Sequence, residues 1–109
     1  MAITSTQVKN SASVVQVSVG RYLDTGTVAA FNITTGFKPL YVKVMNNTSG
    51  DDLEWAHGMA AAAGHKRVAA GTASELTTLG ITQLSYGFTV GLDLDINVTS
   101  EQLTWIAIG

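Results

Sequence analysis

Apolar side chains recur at every second position in short runs, and turn-favouring residues interrupt those runs about every ten positions. An extended backbone is the one conformation that gathers such positions on a single face, because successive side chains of a strand point to opposite sides. Val15, Val17 and Val19 share a face opposite Gln16 and Ser18, and Asp24-Thr25-Gly26 ends the run. Ala29, Phe31 and Ile33 form the next set, closed by Thr35-Gly36. Leu40, Val42 and Val44 read as inward and Tyr41, Lys43 and Met45 as outward. Pro39 has no N–H to give to a ladder and suits the entry to that strand. Asn46 to Asp51 is a turn by composition, after which Leu53 and Trp55 resume the alternation around Glu54.

The middle of the chain is less regular. Met59-Ala60-Ala61-Ala62-Ala63 has the highest helix propensity, but Gly58 and Gly64 bracket it too closely for a stable helix. A strand or loop with close backbone packing is the expectation. Thr72-Ala73-Ser74-Glu75 fits a capping box, yet Thr77-Thr78 and the surrounding alternation favour a strand. Toward the end, Phe88, Val90, Leu92, Leu94, Ile96 and Val98 hold one parity, with Gly91 expected to bend or bulge the run. Thr99 to Gln102 reads as a hairpin loop. Leu103 to Ile108 closes the chain with a strand apolar on both faces, suited to a central or covered place, with Trp105 expected in the core. Seven to eight short strands predict an all-β, antiparallel β-sandwich or jelly-roll-like barrel. At 109 residues, one domain over 13–109 is expected, preceded by an extended N-terminal arm over 1–12.

Charge and chemistry narrow the function. Only 13% of residues are charged, against about 25% in an ordinary soluble domain, so partners cover much of the surface, or Ser, Thr and Asn keep it wet, or both, Ser and Thr alone supplying 22 residues. A net charge of −2 provides no field for nucleic acid or an anionic membrane, and no apolar run approaches the length of a membrane span. With no cysteine there is neither a disulfide framework nor a thiolate metal site. Residues 1–13 lack the features of a signal peptide, so synthesis and folding in a cytoplasm are expected.

His57 and His65, with Glu54 as a conceivable third ligand, match no zinc spacing and read as exposed histidines beside a loop. Asp93 and Asp95 fall on one side of a strand, and with Asp51-Asp52 offer oxygens for a cation or for acid–base work. Their spacing is not that of a calcium loop, and a solvated face or edge protection is the plainer reading. Gly64-His65-Lys66-Arg67 is a basic cluster too short for a nucleic-acid patch, suited at most to an acidic surface on a neighbouring protein. Trp55, Trp105, Tyr22, Tyr41 and Tyr86 suggest either core packing or a sugar-stacking platform. Four matches to the N-glycosylation pattern, at Asn32, Asn46, Asn47 and Asn97, read as chance in an Asn/Thr-rich chain. No nucleophile motif, phosphate cradle or metal set is present, so the expectation is a non-enzyme with no catalytic, cofactor-binding or metal residues.

Four stretches in order carry a family resemblance: Gly36 to Asn46, Glu54 to Met59, Gly87 to Gly91 and Leu103 to Ala107. Together they resemble small virion proteins of tailed bacteriophages, some of the capsid decoration (cement) type, over roughly residues 26–109. The resemblance implies a structural protein on the capsid surface, made in the host cytoplasm, that bridges and stabilises neighbouring shell subunits. It implies contacts with the major capsid protein or another virion protein, a homo-oligomer (dimer or trimer), and no cofactor. The competing expectation is a receptor- or glycan-binding module of a tail fibre or head fibre.

Overall fold

The computed structural model describes residues 15–109; the expected arm over 1–12 lies outside them. Eight strands follow in order: β1 (Val17–Leu23), β2 (Phe31–Thr34), β3 (Tyr41–Asn46), β4 (Asp52–Ala56), β5 (Ala63–Arg67), β6 (Ala73–Leu84), β7 (Gly87–Val90) and β8 (Gln102–Ile108). All pair antiparallel in one continuous sheet with the order β1-β8-β3-β4-β5-β6-β7-β2. The all-β, antiparallel expectation holds, and the eight strands lie in a single curled sheet. Its two edges, β1 and β2, are not hydrogen-bonded to each other. They meet where Tyr22 stacks on Phe31, with ring centroids 3.7 Å apart.

The inner surface of the curl is the core. Alternation places Val42 and Val44 of β3, Leu53 and Trp55 of β4, and Leu103 and Ala107 of β8 inward, all buried. Phe88, Val90 and Ile81 supply the far wall. Trp105 also faces inward, half-buried, edge-on to Phe88 at 6.4 Å. Its β1 partner is Gly20, whose missing side chain leaves room for the indole; a Cβ there would overlap the ring.

Two departures from the alternation shape the curl. Along β5 and β6 the register jumps from Gly64↔Leu76 to Ala63↔Ile81, so residues 77–80 bulge out of the ladder. Leu79 takes a left-handed backbone conformation (φ 64°) at the apex. The second concerns the run from Phe88 to Val98, which stops being a strand at Val90. Gly91 is wedged against the Leu79 and Gly80 carbonyls, and its N–H donates to Gly80 O at 2.9 Å. Beyond it the chain turns, so Leu92 and Leu94 are exposed while Ile96 is fully buried. The bulged backbone occupies the space a straight β7 would need.

Asn46 fixes this loop to the sheet. Its side chain is buried; Oδ1 accepts from the N–H groups of Thr48 and Ser49, both at 2.9 Å. Nδ2 donates to Ile96 O at 3.0 Å and to Glu101 Oε1 at 2.8 Å. One amide therefore closes the β3–β4 turn and holds the segment before β8 over the core.

Candidate functional site

The outer surface of the sheet divides into an apolar half and a charged half. Directly opposed residues of an antiparallel pair share a face. The registers therefore line up Val17, Ile108, Tyr41 and Ala56 in one row and Val19, Ile106, Lys43, Glu54, His65 and Glu75 in the next. At the β1 end the rows are aliphatic and open to solvent: Val15 is 74%, Val17 56% and Val19 67% exposed, and Leu23 and Ile108 add to them. The valine face expected to alternate with polar neighbours thus points outward. Its parity is set by Tyr22 and by Gly20, which must face inward to meet Phe31 and Trp105.

The other half of this surface carries polar contacts made within the chain. Tyr41 Oη donates to Glu54 Oε2 at 2.6 Å, Arg67 Nη2 donates to Asp52 Oδ2 at 2.6 Å, and His65 pairs with Glu75. Burial, the hydrogen bond to Glu54 and the negative charges of Glu54 and Asp52 together push the Tyr41 phenol up to about 12.

On the inner side, the Lys66 ammonium is buried between two carboxylates, 2.9 Å from Asp93 Oδ2 and 2.6 Å from Asp95 Oδ2. Burial by itself would lower the lysine pKa, but the two acids outweigh it and hold the pKa above the ordinary value. This triad ties β5 to the loop after β7. It corrects two expectations. Asp93 is no solvated strand residue: it sits in a turn, buried, with Oδ2 also accepting from Asp95 N at 3.1 Å. Nor is the cluster at 64–67 free for an acidic neighbour, since His65, Lys66 and Arg67 are each paired with a carboxylate within the chain.

The remaining candidates do not converge. His57 lies exposed in the turn after β4, whereas Glu54 stands opposite His65 on β5. Among the described residues no three His, Cys, Asp or Glu side chains are placed to hold a metal ion. Asp51 accepts from Ala69 N at 2.8 Å, which ties a loop down. The five aromatics are dispersed. Trp55 is buried with Nε1 donating to Ala60 O at 3.0 Å, Trp105 faces the core, Tyr22 closes the curl, Tyr41 lies on the outer face, and Tyr86 stands on the β6–β7 turn. No helix among the described residues is long and apolar enough to cross a membrane.

The sequence pattern contained the apolar outer face but not its exposure, which depends on Gly20 facing Trp105 across two strands far apart in the chain. Comparison of the chain with family models, with curated proteins and with solved structures returns no match.

Proposed function

We propose that this chain is a non-catalytic structural protein of a tailed-bacteriophage virion, decorating the capsid and bridging neighbouring shell subunits. The observation that carries the reading is the solvent-exposed aliphatic face of β1 and β8, with Val15, Val17, Val19 and Ile108 in adjoining rows. A continuous apolar face of this kind is a contact surface in a soluble protein. Attachment to a shell would remove it from water and would stabilise both partners by mass action.

The stretches that carry the resemblance support the reading as scaffold. Phe37 and Trp55 are core residues, Pro39 is buried at the entry to β3, Gly87 to Val90 form β7, and Leu103 to Ala107 lie in β8. They supply a rigid body that presents the face, and the low charge content suits a protein largely covered in its working state.

The test is a particle experiment with the double substitution Val17→Lys and Val19→Lys. Both side chains are outside the core, so the fold should survive. Particles prepared with the double variant should lose the protein during purification and release their genome at a lower temperature than wild-type particles. If those particles keep their heat resistance but fail to adsorb to cells, the chain is instead an adhesion module.

A further inference from the structure

The outer face accounts for the side chains of β1 but not for its backbone. Gly109 N donates to Gln16 O at 2.8 Å, so the even-numbered residues of this segment turn their N–H and C=O groups toward β8. The odd-numbered residues, Val17, Val19 and Arg21, therefore aim theirs at the edge of the sheet, where no strand among the described residues pairs with them. The other edge does not pair with them. Edge strands ordinarily carry a proline, a bulge or inward-pointing charge that blocks pairing. From Val15 to Gly20 this one has none of these.

We infer that β1 is a docking edge for β1 of a second copy of this chain, joined antiparallel about a twofold axis at Ser18. The structure limits the register. Phe31 covers the strand at Tyr22, so the free stretch described runs from Val15 to Arg21, and its midpoint is Ser18. Twofold pairing of the whole stretch sets Val17 against Val19 of the second copy, and the reverse, with Val15 against Arg21 at each rim. On the outer face, Ile108 and Val17 of one copy then continue into Val19 and Ile106 of the other, so both central rows are aliphatic across the four strands nearest the axis. Centring on Val19 would set Arg21 against Val17, and centring on Gly20 would set it against Val19. Either brings a guanidinium into the middle of the apolar rows.

Backbone pairing leaves the valine side chains on the outer surface, so the face proposed to meet the shell is preserved and doubled. The inference extends the reading of the chain as part of an assembly, but it concerns the chain's contact with itself.

The experiment uses the purified full chain. Sedimentation velocity should show a two-chain species for wild type. Val19→Pro should shift it to one chain, because proline at 19 removes an edge-facing N–H and leaves the β1–β8 hydrogen bonds in place. Circular dichroism and the melting curve of that variant should stay close to wild type. Ser18→Cys, in a chain without other cysteines, should form an inter-chain disulfide on mild oxidation, since the two Ser18 residues form a non-hydrogen-bonded pair across the axis. Arg21→Cys should not. A wild-type chain that sediments as a monomer at every concentration, or a Ser18→Cys variant that cross-links no faster than Arg21→Cys, would sink the inference. Because no particle is involved, either failure leaves the heat-resistance test of shell attachment untouched. If Val19→Pro unfolds, the cysteine pair decides alone.

Discussion

Single side chains set this fold's tolerance of alkaline conditions. Tyr41 ionises at about 12 in the folded protein, whereas the unfolded phenol does so near its ordinary value of 10.0. A raised folded pKa means the unfolded state gives up its proton first as pH climbs. The stabilisation is complete below pH 10.0 and declines as pH rises toward 12. Tyr22, raised by burial and by its hydrogen bond to Asp24, and Lys66, raised by Asp93 and Asp95 against its own burial, act with the same sign. Urea titrations at stepped pH should show the unfolding free energy falling above pH 10, and Tyr41→Phe should fall less steeply in that window. An unchanged slope would remove Tyr41 from the account. Legibility at this scale was uneven. Val42, Val44, Leu53 and Trp55 could be placed inward from alternation alone. Asn46 read only as a turn residue, because its partners Ile96 and Glu101 lie some fifty residues away. Lys66 read as a surface cation for the same reason: Asp93 and Asp95 reach it only once β5 and the loop after β7 are folded together.

At the scale of elements, the bulge in β6 decides where β7 stops. Gly80 lies against the carbonyls of Ala62 and Ala63, and Gly91 against those of Leu79 and Gly80. A methyl group at either position meets backbone, which cannot rotate away. Gly80→Ala should therefore destabilise by about 2 kcal/mol, the usual order for forcing an extra carbon into a packed site. Gly26→Ala, where an added Cβ has only the tip of Asp24 nearby, serves as the comparison and should have a smaller effect. Equal denaturation midpoints for the two variants would contradict the steric argument. Most strands were legible because period-two alternation is a local property. The end of β7 was not, because Leu92 and Leu94 keep the strand parity and only a backbone contact from β6 turns them out of line. The exposure of the β1 valines was hidden in the same way, since alternation groups them on one face and only the long-range contacts of Gly20 and Tyr22 turn that face outward.

For the whole molecule, closure depends on one aromatic pair. The sheet's edges meet through Tyr22 and Phe31, without a hydrogen-bonded ladder between β1 and β2. Phe31 is only partly buried, so Phe31→Ala should cost about 2 kcal/mol, below the range for a fully buried phenylalanine. It should also raise amide exchange along β1 and β2 more than along β3 and β4, as hydrogen-exchange mass spectrometry would register. Uniform loss of protection would mean that the pair belongs to the general core and is no latch. The all-β class followed from the alternation, but the strand order did not: the pairing of β1 with β8 joins opposite ends of the described chain. That pairing bears on biosynthesis. During vectorial translation β1 emerges before the other seven described strands and its ladder partner β8 emerges last of them, so its aliphatic face waits for Gln102–Ile108 while β2 to β7 are made. Nascent chains arrested before β8 should be the ones that recruit holdase chaperones.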